Sequence, residues 1–345
     1  MTQSPEPVPT QEQRVQDFIA AFQSLRAEVS KIIVGHDDVI EHVLIALFAG
    51  GHALLEGVPG LGKTLLIKTL AECLDLTFSR IQFTPDLMPG DIIGTNIIVE
   101  DPSGRKQFQF QRGPIFGHIL LADEINRATP KTQSALLEGM QEGSVTVSGT
   151  SNLLPSPFFV LATQNPIEME GTYPLPEAQL DRFLFKLRVK YPALSELAEI
   201  IDRTTHVYDM AVRRVMSGEH VLSCRELVRE VPIAAHVRDL ASLIVLSTHP
   251  QWEHTPDSAR RFIRYGASPR GAQALVLGAK VRALSAGRYN VSVDDLRAMA
   301  LPALRHRLIL NFEGEAEGVD VDRLIGELVE AAESMSVSGK EVFLR

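Results

Sequence analysis

Between residues 52 and 189, short apolar runs alternate with stretches whose apolar positions recur at helical spacing. His52–Glu56, Thr77–Phe83, His118–Ala122, Phe158–Thr163 and Phe183–Val189 read as strands, with helices at Thr64–Leu74 and Pro130–Gln141 between them. Strands separated by helices predict βαβ units and a largely parallel sheet covered on both faces. Upstream, Phe18, Ile19, Phe22 and Leu25 mark one helical face, and a second helix over about 37–49 stops at Gly50 and Gly51. Two interruptions break the rhythm. Ile92–Val99 with Gln107–Gln111 predicts a hairpin, and Ser144–Val147 with Asn152–Leu154 predicts another. In the first, Ile97, Ile98, Phe108 and Phe110 are expected to be half-buried. From about Ser195 the pattern turns entirely helical, and only Glu341–Arg345 again reads as a strand. The expected organisation is a disordered tail at 1–12, bearing Pro5, Pro7 and Pro9, and an α/β domain at 13–200 with inserts at about 82–115 and 143–157. A helical domain at 201–345 follows, the division falling between 191 and 225.

Composition narrows the classes. A chain of 345 residues exceeds what one core usually fills, in line with two domains. Forty-five per cent hydrophobic and 22% charged residues exclude wholesale disorder. The net charge of −9 gives no global reason to bind nucleic acid, and Arg260–Arg264 and Arg305-His306-Arg307 read as solvated helix faces. The longest apolar stretch, Val43–Ala49, is far short of the ~18 residues that would suggest a membrane span. No secretory signal pattern opens the chain. Cys73 and Cys224 form neither a disulfide framework nor a metal cluster, and His52, His118 and the other histidines lack metal-ligand spacing. A soluble protein of a reducing, cytoplasmic compartment is expected.

The first chemistry-bearing element is Gly57-Val58-Pro59-Gly60-Leu61-Gly62-Lys63-Thr64, which fits G-x-x-x-x-G-K-S/T directly after a strand and opening a helix. Its glycines let backbone N–H groups turn inward around an anion, and the helix start adds partial positive charge. Lys63 would reach the outer phosphates of ATP, and the Thr64 hydroxyl would ligate Mg²⁺; Leu65 is counted with the binding loop. The second element is Ile119-Leu120-Leu121-Ala122-Asp123-Glu124, an apolar strand that ends in two carboxylates. A parallel strand delivers such residues to the sheet edge where the phosphate loop sits. There Asp123 would hold the Mg²⁺ through water and Glu124 would polarise the attacking water.

These two elements match Walker A and Walker B of the AAA+ ATPases. Ala122-Asp123-Glu124-Ile125-Asn126-Arg127-Ala128, Gln133-Ser134-Ala135-Leu136-Leu137-Glu138, Ala162-Thr163-Gln164-Asn165-Pro166 and Leu175-Pro176-Glu177-Ala178-Gln179-Leu180-Asp181-Arg182-Phe183 closely resemble the MoxR family. The resemblance covers about residues 15–335. It implies an α/β AAA+ core with a five-stranded parallel sheet and a C-terminal helical lid. Asn165 matches the sensor 1 residue, which contacts the γ-phosphate or the attacking water. Arg182 matches the arginine finger, supplied to the neighbouring subunit's nucleotide; read from the residues alone, it could instead pair with Asp181 or Glu177. Ser268-Pro269-Arg270-Gly271 resembles sensor 2, with Arg270 reaching the γ-phosphate from the lid. Val34-Gly35-His36 matches the segment lining the adenine pocket, with His36 where Gln is usual. The two hairpins fall where the inserts of the clade containing MoxR proteins and magnesium chelatase subunits occur.

The resemblance further implies a closed ring, six-membered, that hydrolyses ATP to remodel, mature or activate a partner complex. A separate von Willebrand factor A-domain protein or client enzyme is the expected partner, since no such domain is encoded here. A chelatase-like motor for metal or cofactor insertion is the alternative, and a nucleic-acid translocase ranks below it.

Overall fold

The computed structural model describes residues 10–100, 102, 104–166, 172–206 and 211–337. Its first helix, α1 (Gln11–Ile32), corrects the expected tail boundary. Thr10 and Gln13 form a reciprocal capping box, Gln13 N–H donating to Thr10 Oγ1 and Thr10 N–H to Gln13 Oε1, so order begins inside the segment assigned to the tail. Residues 1–9 lie outside the described residues. Next come α2 (Asp37–Ala49), β1 (Ala53–Glu56), α3 (Lys63–Cys73), β2 (Phe78–Gln82) and the single turn α4 (Pro89–Ile93). The first hairpin is β3 (Gly94–Glu100) with β4 (Lys106–Arg112), followed by β5 (Ile119–Asp123) and α5 (Pro130–Glu142). A second hairpin, β6 (Ser144–Val147) with β7 (Thr150–Leu153), precedes β8 (Phe159–Gln164), α6 (Glu177–Leu180) and β9 (Phe185–Arg188).

The five expected strands form one parallel sheet in the order β2-β5-β8-β1-β9. Successive residues face opposite layers and both are buried. Leu55, Leu121 and Leu161 pack with α1–α3, whereas Leu54, Leu120 and Val160 pack with α5. This two-sided burial is why the inner strands β1, β5 and β8 read as apolar runs, whereas the edge strands β2 and β9 carry Arg80, Gln82, Lys186 and Arg188. His52, at the foot of β1, ties three elements: Nδ1 accepts from Val160 N–H at 3.0 Å, and Nε2–H donates to Met140 O at 3.2 Å. Burial holds this imidazole neutral, with its pKa pushed down to about 4. The unfolded chain takes up the proton near pH 6.5 and the native chain only near 4, so protons favour unfolding in that window. His52 should therefore cost the fold up to about 3 kcal/mol as pH falls from 6.5 to 4, read as a drop in Tm that His52→Gln attenuates.

The hairpins stand apart from the sheet. At the base of the first, Gly94 has φ 93°, and a Cβ there would lie 2.2 Å from Gln111 O, so only glycine lets the strands close. The expected half-burial fails for Ile98 and Phe108, which are 61% and 77% exposed, and Ile97 is also exposed; no layer covers a lone two-stranded ribbon. Phe110 alone is half-buried, against Phe116 at 5.8 Å.

The C-terminal part contains α7 (Leu194–Thr205), α8 (Gly218–Glu230), α9 (Ala235–Leu246), α10 (Asp257–Phe262), β10 (Ile263–Tyr265), α11 (Pro269–Ser285), α12 (Val293–Leu304), β11 (Ile309–Leu310), α13 (Phe312–Ala316) and α14 (Val321–Val337). It is not entirely helical as expected. Antiparallel β10 and β11 pair Ile263 with Leu310, in segments too short to carry a period. Glu341–Arg345 lies outside the described residues. Helix α11 packs on α1, α2, α8, α9 and α12, so the core under the sheet runs on into the helical part. Among the described residues, no helix is long and apolar enough to cross a membrane.

Candidate functional site

Parallel β1, β5 and β8 end at one sheet edge, bringing Gly57, Asp123 and Asn165 together. The loop after β1 is anchored by Gly57 N–H donating to Gln164 O, and its Gly60 and Gly62 take left-handed φ of 84° and 75° before Lys63 opens α3. Pro59, Gly60, Gly62, Lys63, Thr64 and Leu65 form one wall of a cleft of about 400 Å³. Arg80, Gln82, Asp123, Glu124, Thr163 and Asn165 form the other. Lys63 curls over the loop, Nζ donating to Val58 O at 3.0 Å and Gly57 O at 2.5 Å. Burial lowers its pKa, opposed by Asp123 and Glu124.

The two carboxylates are held differently. Asp123 accepts from Thr163 Oγ1 and from Arg80 Nη2, each at 2.7 Å. Glu124 sits at φ 57°, a left-handed conformation that a side chain tolerates only under outside support. That support comes from its N–H donating to Thr163 Oγ1 at 2.8 Å, while its carboxylate accepts from Gln82 Nε2 at 3.0 Å and Arg127 Nη1 at 2.9 Å. Sequence reasoning missed Arg80 and Thr163. Period-two alternation puts Arg80 and Gln82 on one face of β2, but only the strand order sets that face against Asp123.

A second, mostly apolar cavity of about 390 Å³ abuts the first across Pro59–Gly62. Val34, Ile33 and Leu61 line it, with His36 beside them; Leu197 and Ile200 of α7 close it. Gly35 takes φ 70° and packs against the Glu196 side chain, where a Cβ would fall within 2.6 Å. Helix α7 has no buried residue, yet its apolar face turns to this cavity.

Arg182 and Arg270 are elsewhere. Asp181–Leu184 leads into β9, whose first residue pairs with the first residue of β1, so Arg182 sits at the sheet edge opposite the phosphate loop. The intervening strand alone spans roughly 13 Å. Arg182 Nη1 donates to Leu137 O on α5 at 2.6 Å, and its neighbour Asp181 pairs with Arg307 instead. Arg270 lies 3.8 Å from Asp181 and donates to Gln141 Oε1 at 3.4 Å. It does not line the cleft of its own chain. The cause is the seat of α11, whose cap Ser268 donates to Asp181 Oδ2 at 2.8 Å. The Arg305-His306-Arg307 segment is likewise no solvated face: His306 and Arg307 are each 6% exposed.

Residues 52–185 match the model of the ATPase family associated with various cellular activities (AAA), and residues 257–328 match an AAA lid domain. Over 303 residues the chain is 44% identical to Chaperone MoxR1 of Mycobacterium tuberculosis, covering 88% of this chain and 79% of that one. The chain belongs to the MoxR family of AAA+ ATPases. Protein MoxR of Methylorubrum extorquens is 32% identical over 316 residues, 85% of this chain and 89% of that one. The crystal structure of a candidate ATPase from Cytophaga hutchinsonii superposes with a TM-score of 0.86 at 40% identity, covering 93% and 96% of the two chains. The architecture is thus a MoxR-type α/β AAA+ core with a helical lid.

Proposed function

We propose that this MoxR-family protein hydrolyses ATP with Mg²⁺ in a closed ring, a hexamer by family resemblance, and uses the cycle to mature or activate a separate partner complex. A von Willebrand factor A-domain protein or client enzyme in the cytoplasm is the partner class we favour. The observation that carries the reading is the convergence of Lys63, Thr64, Asp123, Glu124 and Asn165 on one cleft beside an apolar cavity. We take the ATPase domain to run from the capped start of α1 at Thr10 to about residue 200, and the lid to follow it from 201.

The donor set suits the cofactors. A Thr64 hydroxyl and an Asp123 carboxylate are the hard oxygen ligands that a largely hydrated Mg²⁺ accepts. The left-handed loop and the start of α3 offer N–H groups to phosphate oxygens, and Val34, Leu61, Leu65 and Ile200 offer an apolar slot to the base. When bound, Mg²⁺ neutralises charge on the outer phosphates. Lys63 adds a point charge there, Glu124 accepts the proton of the attacking water, and Asn165 orients that water or the γ-phosphate. Arg182 and Arg270, at the opposite sheet edge, are then available to the nucleotide of an adjacent subunit. A head-to-tail interface that closes by rotation supplies one such edge to every cleft.

The test is the rate of ATP hydrolysis per subunit against protein concentration. It should rise with concentration and reach a plateau as rings fill; a constant rate would favour a self-contained monomer. Lys63→Ala should weaken ATP binding about 10- to 100-fold by removing a charge-assisted contact, measured with a fluorescent ATP analogue.

A further inference from the structure

The segment carrying Arg182 is held from the lid by one guanidinium. Arg307, whose side chain is 3% exposed, places each of its N–H groups on an oxygen. Nε donates to Asp181 Oδ1 at 2.8 Å, and Nη2 donates to Asp181 O at 3.0 Å and Phe183 O at 2.8 Å. Nη1 donates to Leu184 O at 3.1 Å and to Ala303 O at the end of α12. Four of these acceptors belong to residues 181–184 and bracket Arg182 on both sides. The adjoining residues reinforce the hold: His306 Nε2–H donates to Phe183 O at 3.0 Å, and Arg305 Nη1 donates to Lys186 O at 3.3 Å. Asp181 is gripped a second time by the start of α11, through Ser268 and Arg270.

We propose that Arg307 is a positioning residue for Arg182, fixing from the lid the direction in which that arginine is presented to a neighbouring subunit's nucleotide. The inference rests on Arg182 acting between subunits, as proposed above. The physical reason is the rigidity of the fork. Its planar donors meet the carbonyls of Asp181, Phe183 and Leu184, and so set the peptide plane that enters the Arg182 Cα and the plane that follows Phe183. The 182–183 peptide between them is held by Phe183 N–H donating to Leu180 O at 3.1 Å, which leaves the Arg182 side chain one direction. Stability alone would not demand this device, since well-packed apolar residues commonly replace a buried ion pair without loss. The same bonds make the lid and the arginine one mechanical unit. A shift of the end of α12 moves the residue offered to the neighbour, not the cleft of its own subunit.

Full-length Arg307→Lys and Arg307→Ala variants test this, the lysine keeping charge near Asp181 while losing the fork. Turnover should fall about 100-fold for alanine, the size expected when a catalytic group is misplaced by about 1 Å, and by less for lysine. Affinity for a fluorescent ATP analogue should stay within about twofold. Complementation decides the role. Mixing an Arg307 variant with Lys63→Ala should restore part of the rate, because the variant's intact clefts then receive well-placed arginines from Lys63→Ala subunits. Mixing it with Arg182→Ala should restore none. If Arg307→Ala does not fold, Arg307→Lys carries the same mixing test. Parent turnover in Arg307→Lys and Arg307→Ala, or slow variants that Lys63→Ala subunits fail to rescue, would overturn the proposal while leaving the role of Arg182 standing. Parent turnover in Arg182→Ala would overturn both.

Discussion

Arg182→Ala should lower turnover by about 10³-fold or more while leaving ATP affinity within about twofold of the parent. The magnitude is that of an arginine delivered to a phosphoryl-transfer site, where it meets charge that develops mainly in the transition state. The silence in binding follows from location. Arg182 is at the foot of the sheet and donates to Leu137 O, whereas the loop of Lys63 and Thr64 is at its head. Fold loss should not confuse the result, because the acid next to it is satisfied by Arg307 rather than by Arg182. The measurement is single-turnover hydrolysis of saturating ATP, alone and after mixing with Lys63→Ala. Neither variant should turn over alone, and the mixture should recover part of the parent rate. A parent-like rate for Arg182→Ala would return the site to a single chain. An inactive variant that no mixture rescues would give Arg182 a role within its own subunit.

What could be read from the sequence was what is local. The inner strands β1, β5 and β8 are apolar on both faces and survive as runs, and the edge strands β2 and β9 mix apolar with polar residues; all five fall within two residues of their observed ends. The phosphate loop and the Asp123-Glu124 pair are contiguous, and the parallel sheet had only to bring their ends to one edge. The residues missed depend on partners far along the chain. Arg305-His306-Arg307 is as polar as a surface patch, but its acceptors lie about 120 residues upstream, on the segment at 181–186. Arg270 follows a Ser-Pro helix start that says nothing of where the helix docks; the seat of α11 on α2, α9 and α12 decides that. Arg80 needed the strand order. Thr10 was legible in principle, as the first residue of a capping box, but the prolines before it dominated the reading.

Glu124→Gln should separate binding from chemistry within the cleft itself. The amide is nearly isosteric and keeps one oxygen to accept from Gln82 or Arg127, and the backbone bond from residue 124 to Thr163 is untouched. The left-handed residue therefore stays where it is, and stability should change by no more than about 0.5 kcal/mol. What the amide lacks is a basic oxygen to take the proton of the attacking water. Loss of a general base lowers turnover by about 10²- to 10⁴-fold. Lys63, Thr64 and Asp123 still face the cleft, so ATP should bind as in the parent and persist there unhydrolysed. The nucleotide retained after desalting, identified by chromatography, should be ATP for Glu124→Gln, ADP for the parent and little of either for Lys63→Ala. Parent-like hydrolysis by Glu124→Gln would move the base to another acceptor in the cleft, of which Asp123 is the adjacent carboxylate. Loss of ATP binding instead would mean that the contacts to Gln82 and Arg127 shape the phosphate pocket and that Glu124 is structural.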